Sequence, residues 1–433
     1  MTDAHRAALL IALGSALLLV ALVARLPASL DGQDSVNFAL ALLEFDPRAE
    51  QPHFPGYPVY VALCRVFGAF ALSDAWTLAL PGVLAAVALL PSTASVGRQL
   101  GLPWGTQALS ALLLAVHPLL LAEGPRPLPD LLGTSALWSA LALALTGRSF
   151  SAGLLFATLL GVRVDLAPCA LALAAVPRAE RARLALGAAT GLALWLPLAL
   201  AAYPPGWPSA LAEFALRHFS VWGSTALAGA GSTREALWNL LALGPGAAGL
   251  GLALLGLVRA PALARRGLVL AFGPYLVWVL IGQNLAHARH FLPLLPAGAL
   301  LVAHGLTSLA SPAQRRVAAL AFGLLAVPAY RPLLEPPLDG RAAVVRTVRE
   351  CGGCAAVYTG SDARLFDLYA PDGFPAYPRA SIAAIRRDLD AWGIAPDHVL
   401  VTSGVSGAGS YGPALAHLGR GLELYRIETA ALR

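Results

Sequence analysis

Apolar runs long enough to cross a lipid bilayer recur through the first 330 positions. They fall near 8–28, 76–96, 105–122, 128–146, 150–162, 166–177, 184–203, 236–257, 267–283, 291–309 and 315–330. Nothing else in the chain constrains its fold as strongly. In hydrocarbon every backbone N–H and C=O must find its partner inside the protein, so a run of roughly 20 apolar residues is read as a helix. The expected fold is a polytopic α-helical membrane protein with about eleven transmembrane helices plus juxtamembrane helices. Composition agrees: 58% of the 433 residues are hydrophobic and 12% charged, with a mean hydropathy of +0.68. A soluble domain carries roughly twice that charge. Two runs, 150–162 and 166–177, are short and separated by Gly-Val-Arg-Val-Asp. Half-length helices meeting at a charged turn are tolerated where they line a cavity.

The net charge is +6, and all 30 basic residues are Arg. In a membrane protein such an excess belongs in cytoplasmic loops and does not call for nucleic acid. With the N-terminus inside, the cytoplasmic loops hold Arg6, Arg98, Arg148, Arg178, Arg181, Arg183, Arg259, Arg265, Arg266, Arg315 and Arg316. The outer loops hold Asp31, Asp34, Glu44, Asp46, Glu50, Glu123, Asp130, Asp165 and Glu213. This predicts a multi-pass protein of the inner (cytoplasmic) membrane. The apolar stretch from Ala7 to Leu30 has no clear small-x-small cleavage site before Asp31, and is read as an uncleaved first helix. The stretch 57–72 carries Arg65 in its middle and is read as an interfacial helix rather than a span.

The first external loop, 31–75, is unlike its surroundings. Asp34, Asn37, Ala41 and Glu44 recur at helical spacing, as do Phe38, Leu42 and Phe45. The pattern predicts a flat juxtamembrane helix with an acidic wet face and an apolar one. His53 and Tyr57 follow in a Pro-rich knot. A carboxylate here suits a general base for an attacking hydroxyl or a ligand for a divalent metal; Asp34 also suits a helix cap. Further along, Glu123, Arg126 and Asp130 cluster where a helix should leave the membrane, and Arg163 and Asp165 sit at the break between short helices. Arg offers phosphate a bidentate fork, while loop ion pairs are the plainer alternative. His218, His287, Arg289 and His290 add basic groups. His-x-x-His is a metal signal in form, and contact with lipid headgroups accounts for it equally well.

The division expected is 1–335 for the membrane domain and 338–433 for a small extracytoplasmic α/β domain, in which "AAVYTG", "HVLVTSG" and "LELYRI" read as strands between amphipathic helices. Its expected place is above the site, contacting an acceptor or covering the cleft. Cys64 and Cys169 lie in apolar stretches as core residues, and the Cys351–Cys354 pair suits a disulfide in an oxidising compartment.

A first helix, an Asp-bearing amphipathic helix, "QPHFPGYPVYVAL" and then a helix ending "GRQLG" together resemble the membrane glycosyltransferases of the GT-C superfamily. Within it, they are similar to the bacterial dolichyl-phosphate-mannose-protein mannosyltransferase-like group. Phe54 stands where that motif has its first proline, and Ser35 follows Asp34 where the pattern has a second acid. "HARHFLPLLPAGALL" resembles the late Arg-Tyr-Leu-Leu-Pro-type segment. The resemblance implies a polyprenyl-phosphate-linked sugar as donor, and an acceptor hydroxyl on a glycolipid, polysaccharide or protein. It places Asp34, or else Asp31, as the base, with Arg126, Asp130, Arg163, His287 and Arg289 around the donor phosphate. His53, Tyr57, Asn37 and Glu44 belong to the substrate loop. No cofactor beyond a divalent metal is implied. The alternative reading is a transporter or flippase for a lipid-linked saccharide. Such proteins place ionisable groups near the midplane and show paired repeats.

Overall fold

The computed structural model describes residues 2–432 apart from 174–176, 223–224, 226–245, 285–286, 331–332, 334–338, 353, 355, 361–362, 371, 380, 393–395 and 420–421. Its membrane part runs α1 (Asp3–Val23), α2 (Gln33–Leu43), α3 (Pro58–Gly68), α4 (Asp74–Gln99), α5 (Trp104–Ala115), α6 (Pro118–Glu123), α7 (Asp130–Leu145) and α8 (Ser149–Leu160). It continues through α9 (Ala170–Leu173), α10 (Arg181–Ala202), α11 (Trp207–Arg217), α12 (Gly246–Arg259), α13 (Ala262–Gly282), α14 (Leu295–Thr307) and α15 (Pro312–Ala326).

Among the described residues, five helical stretches are long and apolar enough to cross a membrane: Asp3–Val23, Asp74–Gln99, Arg178–Ala202, Ala262–Gly282 and Ala288–Thr307. The chain is an integral membrane protein. Several apolar runs are interrupted, with local causes. The run 105–122 breaks into α5 and α6 at His117, whose side chain caps the N–H of Leu119 at 3.2 Å; a residue before proline is biased away from helix. The run 291–309 begins inside a 3-10 turn (Ala288–Leu294) that contains Pro293. The predicted break after 162 is present, with a 3-10 turn (Val164–Cys169) leading into α9. Part of the expected span 236–257 lies outside the described residues.

Small residues let the helices close up. A Cβ added to Gly153 on α8 would lie 2.0 Å from the Leu184 carbonyl oxygen, and one on Gly187 of α10 would lie 2.0 Å from that of Phe150. Backbone-to-backbone contact of this kind substitutes for hydrophobic driving force in lipid. At the centre of the bundle Trp138 is fully buried and stacks on Phe272 at 4.8 Å. Its indole N–H donates to the Pro293 carbonyl at 3.1 Å.

From residue 339 the chain builds α16 (Gly340–Cys351), β1 (Val357–Thr359), α17 (Ala363–Tyr369), β2 (Ala376–Pro378) and α18 (Ile382–Trp392). It ends with β3 (His398–Thr402), β4 (Ala416–Gly419), β5 (Leu422–Glu428) and α19 (Thr429–Leu432). The strand order is β2-β1-β3-β5-β4; β1 is parallel to β2 and β3, and β5 is antiparallel to β3 and β4. Alternation along the strands gives the sheet two apolar faces. Tyr358, Val399, Val401 and Ile427 pack with Ile385 and Leu389, forming one core. Val357, Leu400 and Leu424 form another, shared with Leu30, Val36 and Phe38 of the membrane part. Cys351 and Cys354 are disulfide-bonded; Cys64 and Cys169 are buried free thiols.

That shared core corrects the expected facing of α2. Asn37 and Ala41, read as the wet face, are 1% and 0% exposed, as deeply buried as Phe38 at 1%. The helix does not lie open on a surface, because α17 of the C-terminal domain packs against it together with α3 and α4. α3 is 11 residues long, about 16 Å at 1.5 Å per residue and too short to cross. Its Arg65 turns back to donate to the carbonyls of Ala41 (2.8 Å) and Leu42 (3.1 Å), closing the C-terminus of α2.

Candidate active site

The site begins where α2 begins. Gly32 is the N-cap, and the Ser35 hydroxyl both accepts from its N–H (3.2 Å) and donates to its carbonyl (2.8 Å). Asp34 therefore stands in the first helical turn rather than at the cap, where the helix dipole favours a carboxylate. It faces a cavity of about 970 Å³. Arg289 donates to Asp34 Oδ2 at 2.7 Å, and His53 Nδ1 lies 3.8 Å from Oδ1. Burial works to raise the Asp34 pKa, but the His53 and Arg289 charges outweigh it and hold it at about 2.

His53 arrives through the Pro-rich knot. Gly56 has φ +90°, and a Cβ there would meet Phe45 at 2.9 Å, so only glycine permits the tight return. The turn brings Tyr57 under His53, with Nε2 and the phenol oxygen 3.1 Å apart. The His53 ring also lies nearly parallel to Phe214 of α11 at 6.1 Å. Burial pushes the His53 pKa below its ordinary value, against the pull of Asp34. Asn37, one helical turn from Asp34, lines the same cavity, and its buried Oδ1 has no hydrogen-bond partner among the described residues. A buried acceptor left so is costly unless a ligand supplies a donor.

A second charged group lines the same cavity. Arg163, at the break after α8, donates to both oxygens of Asp165 (2.8 and 2.5 Å) and to Asp130, the first residue of α7. Gly133 makes room for it: a Cβ there would lie 2.7 Å from Arg163 Cγ. Gln283 reaches Asp165 at 3.5 Å. His287 and His290 complete this side of the lining.

Of the residues given site roles from the resemblance, the cavity brings together Asp34, Asn37, His53, Tyr57, Asp130, Arg163, His287 and Arg289. Three are placed elsewhere. Glu44 is the exposed C-cap of α2, at the end of the helix remote from Asp34. Arg126 is held by Glu123 at 3.1 Å and by Asp31 at 3.4 Å, outside the cavity lining. Asp31 is turned to Arg126, is 7% exposed and is outside the cavity lining. Sequence reading missed Phe214 and Gln283, which also line the cavity. An amphipathic "WPSALAEFALR" after Pro-Pro-Gly and a Gln-Asn pair ending an apolar run were the available signals. Among the described residues no three His, Cys, Asp or Glu side chains are grouped to hold a metal ion.

No family model and no curated protein sequence matches this chain. Solved structures do resemble it. ArnT from Cupriavidus metallidurans bound to undecaprenyl phosphate superposes with a TM-score of 0.58 at 14% identity, covering 97% of each chain. The apo oligosaccharyltransferase of Archaeoglobus fulgidus gives 0.53 at 13% identity, over 91% of this chain and 69% of that one. The mycobacterial arabinofuranosyltransferase AftD gives 0.53 at 16% identity, over 93% of this chain and 35% of that one. The fold is that of the GT-C membrane glycosyltransferases. The likeness does not single out the mannosyltransferase-like group within it.

Proposed function

We propose that this protein is an inverting glycosyltransferase, moving a sugar from a polyprenyl-phosphate carrier to an acceptor hydroxyl at the extracytoplasmic face of the inner membrane. The observation that carries this reading is the pair Asp34–Arg289, 2.7 Å apart on one cavity wall. Displacement of phosphate from an anomeric carbon needs a base for the incoming hydroxyl and a cation for the outgoing oxygen. Asp34 takes the acceptor's proton as the acceptor oxygen attacks the anomeric carbon from the face opposite the phosphate. The carbon–oxygen bond to phosphate breaks, and the leaving oxygen keeps the electron pair. Arg289 stabilises that charge. In the resting chain Arg289 is paired with Asp34 and keeps it a weak base. A donor phosphate competes for Arg289 and so frees the carboxylate when it is needed. Asn37 Oδ1 offers an acceptor to a sugar hydroxyl. Arg163, bound on both sides by carboxylates, frames the cavity with Asp130 rather than clamping phosphate. His287 stands beside Arg289 at the donor.

Liposomes containing the purified protein, a labelled polyprenyl-phosphate sugar and a panel of hydroxyl acceptors test the reading. The expected result is a covalent product of inverted anomeric configuration. Movement of the labelled lipid across the bilayer without transfer would replace this reading by a flippase. Sidedness is tested by thiol labelling, since the native free thiols are buried. A membrane-impermeant reagent added outside should modify Glu50→Cys and leave Arg181→Cys untouched; the reverse would put the site in the cytoplasm.

A further inference from the structure

The segment leading into α2 is gripped by the C-terminal domain. The Ser29 hydroxyl donates to Asp339 Oδ1 at 2.6 Å and accepts from the Arg341 N–H at 3.1 Å. The Leu30 N–H donates to the Tyr369 hydroxyl at 3.1 Å. Between these contacts Gly340 lies against the chain so closely that an added Cβ would be 2.2 Å from the Leu30 carbonyl oxygen. The Arg341 guanidinium sits 5.2 Å from the centre of the Tyr369 ring. On the other side Arg126 holds Asp31 at 3.4 Å. Asp34 is one helical turn beyond these clamps.

We propose that this latch positions the base: Gly340 and Tyr369 set where α2 starts, and so where the Asp34 carboxylate stands relative to Arg289 and the donor. This rests on the glycosyltransferase reading of the site. It gives the C-terminal domain a task other than meeting the acceptor. The Leu30 oxygen belongs to backbone and cannot rotate away, so Gly340→Ala must push the α2 entry and α16 apart. A displacement near 1 Å at a reacting group costs up to about 100-fold in rate. None of the latch residues lines the cavity, so donor affinity should hardly change.

The full-length protein in liposomes gives the test, with the unaltered chain, Gly340→Ala and Tyr369→Phe compared. For Gly340→Ala, kcat should fall about 10-fold or more, while the Kd for undecaprenyl phosphate stays within about twofold, well inside the tenfold that 1.4 kcal/mol represents. Tyr369→Phe should act in the same direction by a smaller factor. Amide hydrogen exchange should quicken over residues 33–43 and stay unchanged over 130–145. Unchanged kcat in a folded Gly340→Ala protein with loosened α2 would overturn the proposal. So would a joint loss of kcat, donor affinity and exchange protection throughout the chain, which would mean a general structural role. If the unaltered chain transfers no sugar, the glycosyltransferase reading fails, and hydrogen exchange still reports whether the latch holds α2.

Discussion

Two arginine–carboxylate groups line one cavity, and they differ in how completely they are paired. Arg163 is 10% exposed and lies between Asp130 (8%) and Asp165 (14%). Arg289 is 17% exposed and has Asp34, at 34%, as its single ion-pair partner among the described residues. The first group is closed, with its charge spent inside the protein. The second is open to the cavity and can trade one anion for another. The same residue types thus make a closed frame in one group and a half-open pair in the other. Burial and the number of partners decide which is which.

This contrast breaks most easily at Asp34. Asp34→Asn keeps size and hydrogen bonding but removes the base, so transfer should fall about 10²- to 10⁴-fold while undecaprenyl-phosphate binding persists; single-turnover transfer and a binding titration measure the two. At the closed group the damage should be to folding. Arg163→Gln leaves two carboxylates buried beside each other, at a cost of about 3–5 kcal/mol, read as lost resistance to heat or denaturant. Arg289→Gln should weaken donor binding by roughly 10-fold, since a charged hydrogen bond is worth about 1.5–3 kcal/mol, with thermal stability little altered.

The same variant sharpens the comparison through pH. Burial lowers the His53 pKa from the ordinary histidine value, and the Arg289 charge works in the same direction. Protonated His53 pairs with Asp34 and lowers its basicity, so the rate should drop on the acid side, below about pH 6.5. Glu50 and Asp34 pull the His53 pKa up, while Arg163 works with Arg289 to push it down. Removing the Arg289 cation makes His53 easier to protonate, so that limb should move to higher pH in Arg289→Gln. The smallest effect is expected at Glu44→Gln, because Glu44 is exposed at the C-terminal end of α2, outside the cavity lining. A rate change above about twofold there would place it nearer the chemistry than the structure does.

The bundle was legible because membrane solvation writes itself into composition: apolar runs mark helices, and Gly-Val-Arg-Val-Asp marks a break, whereas the break at His117-Pro118 lay inside a run read as continuous. Asp34, His53 and Tyr57 were legible as a polar island beside the first helix. Their partners were not. Asp34 and Arg289 are 255 positions apart, and no local period links residues brought together only by helix packing. The placement of Glu44 and Asp31 was hidden for the same reason. Helical spacing puts Glu44 in line with Asp34, but the cavity lies at one end of α2. Asp31 is a carboxylate beside the same helix start, but it is turned to Arg126. The facing of α2 failed differently. Periodicity tells which residues share a side, not what that side meets, and here Asp34 and Asn37 of the side that looked wet line an internal cavity, while α17 from far along the chain packs against the helix.

That packing has a consequence for how the protein is made. Leu30 and Tyr369 are 339 positions apart. At about 5–20 residues per second, a ribosome takes roughly 17–68 s to travel from one to the other. Through that interval α2 is present without α17, which packs against it in the finished fold. On the positioning proposed above, Asp34 would take its final place only after the residues that grip the α2 entry had been made.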